Sequence, residues 1–143
     1  MTNEHYTTLF SKIETVLTTA GFKRANEFKI RDDGMIFQDE GFSVVPAELN
    51  PTQRMAERVS DLETKLNITI AYKFSPYDWY ENNIAALADS EALICKFEIL
   101  ANDDELHAPG LNVSNFKCDS AGFEQIDVGL LYIKIPLTIS YRH

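Results

Sequence analysis

The stretch that most constrains the fold is the closing one, residues 129–142, which reads GLLYIKIPLTISYR. Its odd positions from 131 onward are all apolar or aromatic: Leu131, Ile133, Ile135, Leu137, Ile139 and Tyr141. The even positions include Lys134, Thr138, Ser140 and Arg142. This period of two predicts a long β-strand with one face on a core and the other towards water or a partner.

Near the start of the chain, apolar residues recur at steps of three and four and predict an amphipathic helix over about residues 3–20. The stripe consists of Tyr6, Leu9, Phe10, Ile13, Val16, Leu17 and Ala20. Thr2 or Asn3 can cap this helix, and Gly21 can end it in a left-handed conformation. The stripe could instead bind a partner, but we expect it to face the core.

Strands and turns are predicted for residues 22–50, with a hairpin around Asp32-Asp33-Gly34. A short strand at Phe42–Val45 is ended by Pro46 or placed by it at a sheet edge. The polar segment Ala47–Arg54 predicts an exposed loop. A long strand follows over roughly residues 57–74, although helix-forming residues between Glu57 and Lys65 leave that part ambiguous.

A second helix, in one or two pieces, is predicted between about residues 77 and 100, with Pro76 at its first turn. Its expected buried stripe is Tyr77, Tyr80, Ile84, Leu87 and Ala88, followed by Leu93, Ile94 and Phe97. The second piece could be a strand instead. The aromatic cluster of Tyr77, Trp79 and Tyr80 fits a protein interface or the end of a core equally well.

An acidic exposed loop is predicted at Ala101–Gly110, then strands at Asn112–Lys117 and Phe123–Val128 before the closing strand. The order of elements predicts a single α+β domain over residues 1–143. We expect a mostly antiparallel or mixed sheet with two amphipathic helices on one face.

The net charge of −9, from 22 acidic and 13 basic residues, disfavours sequence-specific nucleic-acid binding because it repels phosphates. It fits solubility, or a partner with a basic surface. We expect no export signal, because the first ten residues have no positive region followed by an apolar run. We expect no membrane span, because no apolar run approaches roughly 18 residues.

No motif for catalysis, metal binding or nucleotide binding stands out, so we expect no enzyme activity, cofactor or metal. The best metal candidate, Asp103 to His107, lacks the alternating ligands of a calcium loop and predicts a solvated acidic segment. Cys95 lies in an apolar helical stretch and is expected to be an inert buried thiol. Lys117 could lower the pKa of Cys118, so Cys118 and His107 would be tested first in an enzyme.

The layout resembles that of tail terminator, or tail completion, proteins of long-tailed bacteriophages of the lambda type. These are small domains that open with an amphipathic helix, here Tyr6–Ala20 with Gly21-Phe22, and close with a long strand, here Leu131–Tyr141. A long two-stranded arm, here Phe42–Phe74, is also similar to theirs. The Ala101–Gly110 segment and the length of the arm are departures from the family layout.

The resemblance implies a structural virion protein that forms a hexameric ring on the last ring of tail tube subunits. Such a ring would end tube polymerisation and bind the head–tail connector proteins, while DNA passes through it. It would lie at the head-proximal end of the virion tail after assembly in the host cytoplasm. Its interior could be acidic, so that DNA slides without sticking.

For such an assembly, the expected oligomer or partner contacts are Glu48, Asn50, Arg54, Glu57 and Arg58 on the arm, and Lys134 on the closing strand. The even face of that strand, with Tyr132, Thr138 and Ser140, and the edge of the strand are further candidates. The alternative is a small acidic cytosolic immunity or inhibitor protein that masks a basic toxin surface.

Overall fold

The computed structural model of the protein describes residues 4–25, 41–55, 58–73, 78–108, 111–127 and 130–142. The expected caps Thr2 and Asn3, the hairpin around Asp32-Asp33-Gly34, and Pro76 lie outside these residues. The described residues form one seven-stranded sheet and two α-helices, which confirms the predicted α+β fold.

The elements follow one another as α1 (Glu4–Thr19), β1 (Lys23–Arg24), β2 (Gly41–Met55), β3 (Arg58–Lys73), α2 (Trp79–Ile99), β4 (His107–Ala108), β5 (Leu111–Cys118), β6 (Gly122–Asp127) and β7 (Leu130–Arg142). Two short 3-10 turns, Leu100–Asn102 and Asp104–Leu106, connect α2 to β4. The strand order is β1-β2-β3-β7-β5-β4, with β6 also paired to β7. The β1–β2 pair is parallel and the other pairs are antiparallel, so the sheet is mixed.

Strand β7 is the predicted closing strand, and it lies in the middle of the sheet. It pairs with β3 along its whole length on one side, and with β6 and then β5 on the other. All six of its odd-numbered side chains from Leu131 to Tyr141 are buried. The prediction of a core face is therefore confirmed, whereas the suggestion that an edge of this strand is free for a neighbour is wrong.

The helix α1 buries the predicted stripe against the sheet except for Ala20, which follows the helix and is exposed. Leu9, Ile13 and Leu17 are fully buried in the same cluster as the odd face of β7. The chain leaves the helix through Gly21, whose φ of 101° is the left-handed conformation that glycine tolerates best. Phe22 then packs back into the core, as expected. Near the start of α1, the hydroxyl groups of Tyr6 and Tyr141 are 2.7 Å apart, and the Thr64 hydroxyl donates to Tyr141.

The helix α2 is one continuous helix, and its predicted buried stripe is confirmed at Leu93 and Phe97 but not in its first half. Ala86, Ser90, Leu93 and Phe97 are buried, and the Ser90 hydroxyl donates to the Ala86 carbonyl oxygen at 2.7 Å. The expected stripe of Tyr80, Ile84 and Leu87 is exposed, so that part of the prediction is wrong. Both rows have helical spacing, and the row that begins with the small residues Ala86 and Ser90 is the one in the core.

The prediction of an exposed loop at Ala47–Arg54 is also wrong. Strand β2 continues through Pro46 and Pro51 to Met55, and it pairs with β3 throughout. Register shifts follow Pro46 and Pro51, where the strand accommodates extra residues as β-bulges. Proline is tolerated because β2 has β3 on one side only beyond Phe42 in the part of the chain described. The long strand predicted at about residues 57–74 is confirmed as β3.

Of the predicted acidic loop Ala101–Gly110, the structure describes residues 101–108, which form two 3-10 turns and the short strand β4. Asp103 caps the second 3-10 turn by accepting from the Glu105 amide at 2.9 Å, and Leu106 is fully buried. Asp104 and Glu105 are exposed, as expected for this composition. Within the described residues, neither helix has the length and apolar character needed to cross a membrane.

Candidate functional site

The two arm residues Glu48 and Asn50 lie on the face of the sheet opposite the helices, which we call the outer face. Glu48 pairs in register with Lys65, and their side chains form an ion pair at 3.5 Å. The Asn50 side-chain amide donates to the same carboxylate at 3.3 Å. Both residues are exposed, so they are accessible to a partner but are already engaged with each other.

Lys134 also lies on the outer face, two strands away on β7. Its ammonium group is 2.9 Å from the Glu124 carboxylate on β6, and both side chains are more than half exposed. On β7, Thr138 is the residue in register with Lys65. Lys134 is four residues from Thr138, a distance of about 13 Å along the strand. The structure therefore places Lys134 and Glu48 on one face without bringing them into contact.

The other expected contact residues lie at the far end of the arm. The register places Arg54 opposite Val59 and Met55 opposite Arg58, immediately before and after the β2–β3 connection. Their side chains, and Glu57 as a whole, lie outside the described part of the structure. Arg54 and Arg58 thus share one end of the sheet with the Arg142–Asp61 pair, whose closest atoms are 3.2 Å apart.

The charges of the outer face are largely compensated by neighbours. Besides the pairs at Lys65, Lys134 and Arg142, the Lys117 ammonium lies 3.6 Å from Asp119. Exposed pairs of this kind contribute little to stability, at most about 1 kcal/mol each. They nevertheless leave the outer face close to neutral, which does not favour a highly charged partner there.

Tyr132 departs from the expectation that the even face of β7 is available for contacts. Its side chain is buried, and it clusters with Ala25 and Ala71 on the outer face. Thr138 and Ser140 are partly exposed. The aromatic ring of Tyr132 is therefore part of a small second core, which removes it from the candidate contact residues.

Sequence reasoning missed the exposed apolar side chains, because it assigned them to the core or to a loop. Leu49 on β2 is 57% exposed, and Ile84 and Leu87 on α2 are 59% and 60% exposed. Tyr80 is also exposed, whereas the side chains of its neighbours Tyr77 and Trp79 lie outside the described residues. A signal was present in α2: its apolar residues exceed what one buried stripe can hold.

Cys118, one of the residues considered for catalysis, is a partly buried thiol. Burial raises the pKa of the Cys118 thiol to about 12, and the carboxylates of Glu98 and Asp119 act in the same direction. The expectation that Lys117 lowers this pKa is therefore wrong, and a thiol of this kind is a poor nucleophile. Cys95 is exposed rather than buried, and neither cysteine is in a disulfide.

The acidic segment that follows α2 is held by a lysine of α1. The Lys12 ammonium lies 3.2 Å from Asp103 and 3.3 Å from Glu105. The pKa of Asp103 is lowered, first by the hydrogen bond from the Glu105 amide and then by Lys12. Among the described residues, no group of three or more His, Cys, Asp or Glu side chains is arranged to hold a metal ion.

His107 links the start of this segment to β5, with one ring nitrogen on each. Its Nε2 is 2.8 Å from the Ala101 carbonyl oxygen, and its Nδ1 is 3.0 Å from the Asn112 side-chain oxygen. These contacts restrain the ring, and they give His107 a role in positioning the segment between α2 and β5.

The surface of the described part of the molecule includes a groove and a smaller recess. A groove of about 380 Å³ runs along α1 and is lined by Tyr6, Thr7, Phe10, Ser11, Glu14 and Arg24. A smaller recess of about 190 Å³ lies at the end of the sheet that carries Asp61 and Arg142. The groove has the more apolar floor, since Tyr6 and Phe10 pack against the core.

No protein-family model matches the chain, and no curated protein matches it significantly.

Proposed function

We propose that the protein is a structural virion protein of a long-tailed phage that caps the tail tube, ends its polymerisation and forms the surface to which the head binds. The observation that carries the proposal is the layout of the chain. An amphipathic helix opens it, a long β2–β3 arm follows, and the long strand β7 closes it. This is the layout in which the sequence resembles the lambda-type tail terminators.

Physical features of the molecule support a role in assembly. A closed ring needs two different surfaces on each subunit, related by the rotation that closes the ring. Strand β2 offers one, because its outer edge beyond Phe42 is not paired with another described strand. The exposed part of helix α2 offers the other surface, near the opposite end of the strand order. In this proposal the protein has no catalytic residue and no cofactor.

The net charge of −9 fits a ring through which DNA passes. An acidic wall repels the phosphate backbone, so the DNA would not bind to it during ejection or packaging. The partners in this proposal are further copies of the chain, the tail tube protein and the head–tail connector. The protein would end up at the head-proximal end of the tail.

Electron microscopy of the purified protein, alone and mixed with tail tubes, tests the proposal most directly. We expect six-fold rings around a DNA-sized hole, free or at one end of the tubes. Light scattering should give the corresponding hexamer mass. A protein that stays monomeric and leaves both tube ends uncapped would contradict the proposal.

Lys134 permits a more local test of the outer face. Lys134→Glu should weaken assembly if this face contacts a neighbour, but it also places two carboxylates together at Glu124. The double variant Lys134→Glu/Glu124→Lys keeps the ion pair of the monomer and reverses its direction, so it is the matched control for that repulsion. If both variants assemble like the wild type, Lys134 is not a contact residue.

The second candidate function is that of a small acidic inhibitor or immunity protein, and the exposed acidic helix α2 favours it specifically. Glu81, Glu91 and Glu98 are exposed on this helix, around its apolar residues. Such a protein would form a one-to-one complex with a basic partner, and the complex would weaken strongly as salt increases. A ring at the end of a tail tube would exclude this candidate.

A further inference from the structure

Among the described residues, the helix-facing side of the sheet is incompletely covered at its β2 end. The register places Val44, Pro46, Leu49 and Pro51 of β2 opposite Ile68, Leu66, Thr64 and Leu62 of β3, on the helix-facing side. Burial falls along this row: Val44 is partly buried, whereas Pro46, Leu49 and Pro51 are exposed. The layer formed by α1 and α2 thus ends before the apolar side of the sheet does.

The groove along α1 opens towards the same end of the sheet. Arg24 lines it, and Arg24 belongs to β1, which pairs with Phe42 at the start of β2. The opposite wall is the flank of α1, with Tyr6 and Phe10 partly buried in it. This position, beside α1 and above β2, is where a further helix of the layer would lie.

The exposed face of α2 carries the apolar residues that such a helix would need. Tyr80, Ile84 and Leu87 follow one another at steps of four and three, so they form one stripe. The stripe lies roughly a third of a turn around the helix from Leu93 and Phe97, which are in the core. Large apolar side chains at helical spacing are the usual anchors of a helix on an apolar surface.

The two surfaces lie on opposite sides of the subunit. Strand β2 is near one end of the strand order, whereas α2 packs against β5, near the other end. One copy can therefore offer its α2 to a second copy while its own β2 end remains available to a third. A contact between two different surfaces is heterologous and builds a ring or a filament, not a two-fold dimer.

The charges of the two surfaces are complementary. On α2, the stripe continues into Glu91 and Glu98, which are both exposed. Beside the β2 end, Lys23 and Arg24 are exposed on β1, and the Arg24 guanidinium lies 3.8 Å from the Glu14 carboxylate. Carboxylates of one copy would thus face cations of the next, which argues for a second copy as the occupant.

We infer that α2 of one copy packs its stripe on the β2 end of the next copy, beside α1, and so completes the helix layer of that copy. Only the closure of this contact into a six-membered ring rests on the proposed function. The contact itself requires only the two surfaces. Leu49 is the central apolar residue on the sheet side, and Ile84 and Leu87 are those on the helix side.

Complementation between two variants tests the inference. Ile84→Glu/Leu87→Glu blocks the helix surface, and Leu49→Glu blocks the sheet surface. Because all three residues are more than half exposed, both variants should fold, which circular dichroism and thermal melting would check. Each variant alone should self-associate at least about 30-fold more weakly than the wild type in sedimentation velocity.

A one-to-one mixture of the two variants should restore a single contact. The intact α2 of the Leu49→Glu chain can bind the intact β2 end of the other chain, and growth then stops at a heterodimer. An isologous contact through α2 alone would give no such complex. The matched controls are Val45→Glu, on the other face of β2, and Ile99→Glu, at the far end of α2; both residues are about half exposed or more, and both variants should assemble normally.

The inference is overturned if the two variants assemble like the wild type, or if their mixture gives no heterodimer. It is also overturned if the wild type remains monomeric up to about 1 mM, where even weak specific contacts are populated. Electron microscopy that shows whether each protein caps tail tubes tests the proposed function separately. If the variants still form rings, the result contradicts the contact between α2 and the β2 end but not the proposed function.

Discussion

The two helices differ in how much of their apolar surface they bury. In α1, the residues at helical spacing are in the core, and Leu9, Ile13 and Leu17 are fully buried. In α2, Tyr80, Ile84 and Leu87 of the first three turns are exposed, and the buried face begins with Ala86 and Ser90. The comparison shows that helical spacing of apolar residues predicts a helix, but does not by itself identify the face that it buries.

The largest expected difference between the helices is in the cost of truncating one leucine in each. Leu9→Ala should lower the free energy of unfolding by about 2–5 kcal/mol, because it leaves a cavity in a closed core. Leu87→Ala should change it by no more than about 0.5 kcal/mol, because that side chain is exposed in the monomer. Urea unfolding of dilute protein measures both. Equal losses would show that the α2 stripe is covered within one chain.

The two cysteines give a second contrast. Cys95 is exposed on α2, whereas burial, together with the carboxylate of Glu98 on α2, raises the pKa of Cys118 to about 12. At pH 8, only on the order of 10⁻⁴ of Cys118 is thiolate. A thiol reagent should therefore modify Cys95 at least about 100-fold faster than Cys118. Cys95→Ser should remove the fast phase, and a fast phase that persists would mean that Cys118 is accessible.

The ends of the two helices differ as well. The chain leaves α1 through Gly21 at φ 101°, whereas Leu100 continues α2 in the right-handed region at φ −57°. Gly21→Ala should cost about 1–2 kcal/mol of stability from backbone strain alone, since no atom lies near an added Cβ. Gly122→Ala is the control, because its Cβ would meet only the Lys134 carbonyl oxygen at 3.9 Å. Similar melting temperatures for the two variants would contradict this account of Gly21.

The smallest expected effect concerns the polar contact between α1 and β7. Burial raises the pKa of Tyr141 from 10.0 to about 12, so the folded state keeps its proton where the unfolded chain has lost it. The stabilisation from this group is complete below pH 10 and is lost as pH rises to about 12. Tyr141→Phe should cost about 1 kcal/mol at neutral pH through its lost hydrogen bonds. The free energy of unfolding of this variant, measured with urea, should then fall less steeply between pH 10 and 12 than that of the wild type. If both fall equally steeply, groups other than Tyr141 cause the loss of stability at alkaline pH.

The parts of the fold that could be predicted from the sequence have one strong period and one face to bury. Strand β7 alternates without a break from Leu131 to Tyr141, and α1 has a single apolar stripe that ends at Gly21. In both cases local geometry leaves one arrangement that puts the apolar residues in a core. The structure agrees with the sequence in these elements.

The parts that could not be predicted depend on neighbours that the sequence does not show. Pro46 and Pro51 indicate a loop, yet β2 remains a strand because its pairing needs β3 on one side only. Tyr132 is at a polar position of β7, and contact with Ala25 and Ala71 buries it. Of the candidate site, the accessibility of Glu48, Asn50 and Lys134 could be predicted from their polarity. The exposure of Leu49, Ile84 and Leu87 could not, because it depends on where the helix layer ends.

The central position of β7 also sets a time order for folding. Ribosomes synthesise β2, β3, β5 and β6 before β7, yet β3 reaches β5 and β6 only through β7. The β2–β3 hairpin can form early, because its strands are joined by a short connection. The complete sheet must wait for the closing strand, and contacts between distant parts of a chain form slowly. Until then the nascent protein has an unfilled place in its sheet, which makes this period the one in which a chaperone would matter most.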